Sequence, residues 1–491
     1  MRISLYYVFE ATHTNLNCYA CQIMNDKNFF WYDLETTGAD VEQDRAVQFA
    51  GIRTDSDLNQ IEEGYELFCR PSLDRLPAPQ AVAITKLDYL ELVKKSSRES
   101  EFCRLILKEF TRDGTCVAGF NNIRFDDEII RRLLYRNLRD PYAREWQNGN
   151  CRWDLIDPMR AAYALRPDGI EWPKKEDGSV SFRLEDLARA NNVLHENAHD
   201  ALSDVRATIG VARVLKKAQP KLFDFSLTLR KKLNVSSILD PKKRQPAVLV
   251  STKLKRWKKN LGLIVPLTYH PLKANNIICY DLSCNPNFIH ESSDESLLEV
   301  LKSDSSVFIE INISRVPFVA PVSVLDRETI ANQELDLQLI QERIDFLNNA
   351  PKLSENILQI FSQDTYEVDP DPENQLYSGG FFNPKDREMM NKISESEPSS
   401  LKYFSDKFDD PRLKEMLFRY ICRNFPQVLE ETELDLWKTF VRGRLENGRL
   451  IDRYRADAKQ IMEGADLDTQ QVFRQLLKYY DYVEGVVQEK Y

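Results

Sequence analysis

What this chain lacks narrows it first. No stretch of its 491 residues approaches 18 uninterrupted apolar positions, so no transmembrane helix is expected. Glycine is scarce, 16 against 22 prolines, and no long low-complexity tract occurs; collagen-like and wholly disordered chains are excluded. A secretory leader is not legible either. The apolar run at residues 3–9 stops at Glu10, thin for a signal-peptide core, and no clear small-x-small cleavage pattern follows. Nine cysteines, an odd number scattered from Cys18 to Cys422, suit reduced thiols in a cytoplasmic protein better than a disulfide framework. Cys18-x-x-Cys21 lacks the second Cys or His pair that a structural zinc site needs.

What is present is ample apolar material, 42% of the residues, enough for two to four domains with proper cores. The net charge of −10 argues, as an average, against a nucleic-acid partner. The average misleads. Between Arg213 and Lys259 stand fifteen Lys/Arg against Asp224 and Asp240, a local excess of +13 that leaves −23 on the remainder. Such asymmetry hints at a basic surface facing an anionic polymer; solvated loops on a crowded surface would read the same.

Residues 1–23 read unlike the rest and are expected to be a poorly ordered or upstream extension, with Met24 as the start. The aromatic run Phe29-Phe30-Trp31-Tyr32 suits a buried strand ending at Asp33. Further strands are expected at 45–54, 65–70 and 115–120. Residues 126–138 should be helical, with Ile129, Ile130, Leu133, Leu134 and Leu138 on one face and Arg131, Arg132 and Arg136 opposite; 201–217 should form another helix. An α/β sheet domain over 24–219 follows. Beyond Pro220, short β-rich pieces at 247–251, 263–267, 277–281 and 306–313 suggest a small barrel. Helical texture at 328–361 completes a unit over 220–368. A Pro/Asp/Asn break at 369–374 looks like a linker, and 369–491 should be an all-α domain.

The chemistry sits in the first of these. Asp33 and Glu35 are two apart on a strand, so both carboxylates face one spot, and Thr36-Thr37-Gly38 then opens the strand edge. Asp126 begins a helix, where it would serve equally well as an N-terminal cap. His199 and Asp204 lie five apart at the mouth of another helix, where a cap and a surface carboxylate are the ordinary alternatives. Together these residues meet one physical demand. Phosphodiester cleavage needs a water activated near neutral pH and a leaving oxygen whose charge is neutralised; two divalent ions do both, and oxygen ligands suit Mg²⁺ or Mn²⁺. Converging carboxylates repel one another without such cations. His199 fits as general base, since imidazole titrates near working pH.

Asp33-Leu34-Glu35-Thr-x-Gly, Asp126 and His199-x4-Asp204 resemble the DEDDh exonuclease signature of the RNase H-like superfamily. More narrowly, the chain resembles the bacterial exonuclease I family of 3′→5′ single-strand-specific deoxyribonucleases. The likeness is carried by Gly119-Phe-Asn-Asn-Ile-Arg-Phe-Asp-Asp-Glu128, Arg152-Trp-Asp-Leu-Ile-Asp157, Arg160-Ala-Ala-Tyr-Ala-Leu-Arg-Pro167, Ser181-Phe-Arg-Leu-Glu185 and Asn197-Ala-His-Asp200. It resumes at Gln375-Leu-Tyr377, Phe381-Phe382 and Arg423-Asn-Phe-Pro426, and so runs from about Met24 to the end. Residues 1–23 have no counterpart in the family pattern, and 253–259 are more basic than its norm.

The resemblance implies a mixed-sheet RNase H-like exonuclease domain, an SH3-like β-barrel domain and an all-α C-terminal domain. It implies that Asp33, Glu35, Asp126 and Asp204 hold two Mg²⁺, with Mn²⁺ a plausible substitute, that His199 is the base and that Arg183 contacts the substrate phosphate. An arginine can grip phosphate bidentately, though Arg183 has Glu185 and Asp186 as nearby ion-pair partners. Single-strand contacts are implied at Tyr142, Trp146, Arg131 and Arg160. Stacking rings with a cationic track suit that role, while core filling is the alternative for the two aromatics. Also implied is docking of the acidic C-terminal tail of single-stranded DNA-binding protein, with Arg166 a candidate partner for a carboxylate, by an enzyme expected to be a monomer. A non-catalytic single-strand binder and a DEDDh enzyme acting on RNA are the alternatives; fold alone decides neither.

Overall fold

The computed structural model describes residues 28–194, 200–254, 257–286, 307–350, 353–362 and 368–488. The expected extension at 1–23 lies outside these residues, as does His199. The chain divides into two compact units: Asp26–Cys151 with His195–Ala207 and Tyr366–Tyr491, and Arg152–Leu194 with Thr208–Thr365.

The aromatic run becomes β1 (Asn28–Thr36) of a five-stranded sheet with β2 (Ala46–Thr54), β3 (Tyr65–Phe68), β4 (Thr115–Gly119) and β5 (Cys151–Asp154) in the order β3-β2-β1-β4-β5, of which β1 to β4 and Cys151 of β5 belong to the first unit. β1 pairs antiparallel with β2 and parallel with β4. Strand alternation sends Phe30, Tyr32 and Leu34 into one core with Phe49, Phe110, Ile129, Ile130, Leu133 and Leu134. The helix Asp126–Arg136 thus presses its apolar stripe onto the sheet.

Its other face does not meet solvent. Arg131, Arg132 and Arg136, expected opposite the apolar stripe and found there, are all buried as well. Each is neutralised: Arg131 by Glu128 (3.0 Å) and Glu145 (2.7 Å), Arg132 by Glu42 (2.9 Å), Arg136 by Glu99 (2.6 Å). A buried guanidinium is tolerable only when so paired.

Three helices between β3 and β4 (Pro79–Thr85, Tyr89–Lys95, Glu99–Phe110) match no element expected from the sequence. Two of them are only seven residues long, too short for a clear period. Helices of the C-terminal region belong to this same unit. Phe473, Leu476, Tyr479 and Tyr480 of the helix Leu467–Gln488 share a core with Val47, Val82 and Tyr89, and the Tyr480 hydroxyl donates to the Pro77 carbonyl at 2.7 Å.

The second unit is built on β6 (Ala247–Val250), β7 (Leu261–Tyr269), β8 (Asn276–Asp281), β9 (Phe308–Asn312) and β10 (Phe318–Pro321), ordered β10-β6-β7-β8-β9 with every neighbour antiparallel. Four of the strands fall where expected, β10 answers to no expected piece, and the barrel is not closed among the described residues. Closure would need the edge strands β9 and β10, five and four residues long, to pair with each other. Ile340, Ile344, Leu347, Leu353 and Ile357 from the following helices seal one face. Among the described residues no helix is long and apolar enough to cross a membrane, and the described cysteines are free.

Candidate active site

β1 delivers the first two carboxylates. Asp33 lies opposite Ala50 and Glu35 opposite Gln48, after which the register slips and Thr36 meets Ala46. A bulge at such a point turns the chain out of the sheet and re-aims what precedes it. The third carboxylate comes from the helix Ala201–Ala218. Asp200, not Asp204, does the capping: its carboxylate accepts from the Ser203 amide (3.2 Å), and its carbonyl accepts from the Asp204 amide (2.9 Å). Asp204 is thereby left in the first turn, and oxygens of Asp33, Glu35 and Asp204 lie within 4.8 Å of one another.

Asp126 is the first residue of its helix, and the cap position before it is Phe125, which makes no side-chain cap bond. The expected capping alternative for Asp126 is therefore not what the fold uses. Its neighbour Asp127 holds the helix end in place. The Tyr32 hydroxyl (2.7 Å) and Arg144 Nη2 (2.6 Å) both donate to Asp127 Oδ1, and the Asp127 and Arg144 side chains are fully buried. This ties the helix to β1 one residue before Asp33. Gly119 permits the approach of β4: a Cβ there would sit 3.0 Å from the Tyr32 carbonyl oxygen and 2.9 Å from Asn122 Cβ. Asp127→Ala would strand a buried guanidinium and a buried hydroxyl. We expect a loss of about 3–5 kcal/mol in urea unfolding, the usual result of breaking a buried pair from one side.

The carboxylates titrate as a crowded anionic pocket should. Burial first, then Asp33, Asp204 and Asp200, push the Glu35 carboxyl up to about 9. Burial first, then Asp126 and Asp204, raise Asp33 well above the ordinary range. Hard oxygen donors with mutual repulsion that a cation would relieve fit a divalent ion. Asp126, expected as a fourth ligand, is not among the residues whose oxygens lie within 4.8 Å of one another, although its charge is felt at Asp33.

The residues expected to contact DNA part company. Trp146 is 66% exposed, so core filling is ruled out for it. Tyr142 is half-buried, its ring edge-on to Phe381 at 6.1 Å. Phe381 is 88% exposed and lies in the Phe381-Phe382 stretch that helps carry the family likeness, where the sequence points to no role for it. Arg131 does not present the open cationic head expected for a phosphate. Glu145 takes it bidentately (2.7 and 2.9 Å), Glu128 and the Tyr377 hydroxyl take Nη1 (3.0 and 3.1 Å), and the guanidinium lies 5.4 Å from the Tyr142 ring centre. In the other unit, Arg160 donates to Asp157 (2.7 Å) and lies 5.8 Å from the Phe182 ring centre. Arg183 is exposed and paired with Glu185 at 2.5 Å. Arg166 is engaged by Asp326 (3.0 Å) and by the Val324 carbonyl (2.9 Å).

Comparison with known proteins covers nearly the whole chain. Family models match for an exonuclease over residues 30–212, the exonuclease I SH3-like domain over 230–363 and the exonuclease I C-terminal domain over 370–484. Exodeoxyribonuclease I of Escherichia coli is 37% identical over 95% of this chain and 100% of its own. That of Haemophilus influenzae is 36% identical over 94% and 99%. An oligoribonuclease of Baumannia cicadellinicola, 28% identical, spans only 37% of this chain. Among solved structures, E. coli exonuclease I with a dA16 oligonucleotide superposes with a TM-score of 0.88 at 35% identity, covering 93% and 100% of the two chains. An SSB/exonuclease I structure superposes at 0.87 with 36% identity, covering 93% and 100%. The zinc-bound E. coli complex with single-stranded DNA gives 0.87 and 36%, covering 94% and 100%.

Proposed function

The chain belongs to the exonuclease I family and is an exonuclease of single-stranded DNA; on that premise we propose that it works 3′→5′, releasing 5′-mononucleotides in DNA repair and recombination. The observation that carries the reading is the convergence of Asp33, Glu35 and Asp204 oxygens within 4.8 Å. Asp33, Glu35, Asp126 and Asp204 hold two Mg²⁺. When bound, the ions supply a water acidic enough to attack at neutral pH and a counter-charge for the leaving oxygen.

The chain's own groups do the rest. His199, next to the Asp200 cap of the helix that carries Asp204, takes the proton of the attacking water at an imidazole nitrogen. Arg183, with its exposed head, contacts a substrate phosphate, exchanging Glu185 for it. Tyr142, Trp146 and Phe381 offer rings for bases to stack on without regard to sequence. Arg131 acts from beneath Tyr142, fixing that ring. Arg160 holds phosphate in the other unit. DNA is favoured over RNA because the oligoribonuclease likeness stops at 37% of the chain, whereas the exodeoxyribonuclease likeness covers 95%.

The basic stretch between Arg213 and Lys259 carries backbone phosphates, and the acidic tail of single-stranded DNA-binding protein docks on the second unit, a reading supported by the SSB-containing relative. With Arg166 already engaged by Asp326, that docking would displace an existing pair. The enzyme works as a cytoplasmic monomer. If four phosphates are held, affinity for single strands should fall about 50-fold between about 50 and 200 mM KCl, at a slope of about −0.7 per phosphate. A flat titration would remove the cationic track. The decisive assay incubates 3′- and 5′-labelled single- and double-stranded DNA and RNA with Mg²⁺ or EDTA. Single-strand DNA should shorten from its 3′ end in Mg²⁺ alone; loss from the 5′ end, preference for RNA, or cleavage in EDTA refutes the proposal.

A further inference from the structure

The turn that follows Glu35 is held from one side by an unusually connected set of buried charges. Thr37 donates its amide to the Arg45 carbonyl (2.9 Å), accepts the Arg45 amide on its hydroxyl oxygen (3.0 Å), and donates that hydroxyl to Asp44 (2.7 Å). Gly38 packs against the same carboxylate, which a Cβ would meet at 2.3 Å. The Arg45 guanidinium grips Asp74 bidentately at 2.9 and 2.7 Å. Asp74 is also shared by two arginines of the C-terminal helices: Arg423 (3.4 and 3.1 Å) and Arg444 (3.2 Å). Arg423 is anchored in turn by Glu373 at 2.6 and 2.7 Å. The Asp74, Arg423 and Glu373 side chains are 0%, 1% and 6% exposed.

Buried charges in this density cost desolvation and are weak devices for stability alone. They are strong devices for geometry, because planar guanidinium–carboxylate forks fix direction as well as distance. Arg423 opens one of the sequence strings shared with the family, yet it touches none of the active-site carboxylates described above. We propose that Arg423 is a positioning residue: through Asp74, Arg45 and Thr37 it sets the Glu35–Gly38 turn, and with it the direction of the Glu35 carboxylate toward the divalent ion. The inference rests on the reading of Glu35 as a metal ligand. It gives the C-terminal helical region a part in metal affinity.

The test is Arg423→Met in the full-length enzyme, with Mn²⁺ binding in the absence of DNA followed by electron paramagnetic resonance alongside steady-state kinetics. We expect Mn²⁺ half-saturation about tenfold higher and kcat at subsaturating metal about tenfold lower, with KM for single-stranded DNA unchanged; each tenfold is about 1.4 kcal/mol. Excess Mn²⁺ should restore most of kcat, and Arg423→Lys, which can still reach one carboxylate, should recover part of the affinity. Thr37→Val tests the other end of the relay and should give the same metal signature if Arg423→Met fails to fold. Glu35→Gln serves as reference. If Glu35→Gln leaves Mn²⁺ binding intact, the metal assignment fails; if Glu35→Gln loses it while folded Arg423→Met and Thr37→Val bind Mn²⁺ within twofold of wild type, the positioning role is overturned.

Discussion

Asp33→Asn and Asp204→Asn should each lose about 10³–10⁴-fold in kcat on a single-stranded oligonucleotide while Kd for that strand, measured in EDTA, stays within about threefold. The size follows from what is removed. Charge stabilisation by a bound dication is worth several kcal/mol in the transition state, and each 1.4 kcal/mol is a factor of ten. An amide keeps the shape of the side chain but gives up the anionic oxygen that makes the pocket attractive to a cation. DNA affinity is spared because the exposed rings of Trp146 and Phe381 belong to other elements than the carboxylates. His199→Ala should fall less far, about 10²–10⁴-fold, the usual range for a general base. Retention of more than a tenth of wild-type kcat in either Asp variant would sink the assignment, as would loss of DNA binding in step with activity.

The carboxylates were readable because strand alternation is a local rule. Once Phe29-Phe30-Trp31-Tyr32 is a strand, Asp33 and Glu35 must share a face, and they do. What was not readable is long-range. Asp126 and Asp127 are identical neighbours, and Tyr32 and Arg144, 95 and 17 residues from Asp127, make the second a structural anchor. The 3.6-residue period put Arg131, Arg132 and Arg136 opposite the apolar face but could not say what covers them; Arg132 is met there by Glu42, 90 residues away. Asp74 and Arg423 are 349 residues apart, a pairing that no local pattern announces. The five strands of the second sheet were visible only in part. β10 is a four-residue piece ending in Pro321, at the limit of what alternation can register.

Stripping the divalent metal should destabilise the enzyme, and by more at pH 9 than at pH 6. Burial and the neighbouring carboxylates push Glu35 from 4.5 up to about 9 in the folded chain. Between those values the folded state keeps a proton that the unfolded chain releases. The contribution to stability is therefore fully present below about pH 4.5 and declines as pH rises, by at most about 1.4 kcal/mol per pH unit for one group, until it is gone near 9. Asp33 moves in the same direction for the same reason. The opposite case is Glu373. Burial alone would raise it, but Arg423 holds it down near about 2, so its contribution is lost only in acid and is constant from pH 6 to 9. A bound dication replaces the protons and keeps the carboxylates ionised, so its stabilisation grows as protons leave. The gap in Tm between enzyme in Mg²⁺ and enzyme in EDTA should widen steadily from pH 6 to 9, and Glu35→Gln should flatten most of that slope. Parallel Tm curves across this range, or a gap that narrows with rising pH, would mean that the carboxylates do not share a cation.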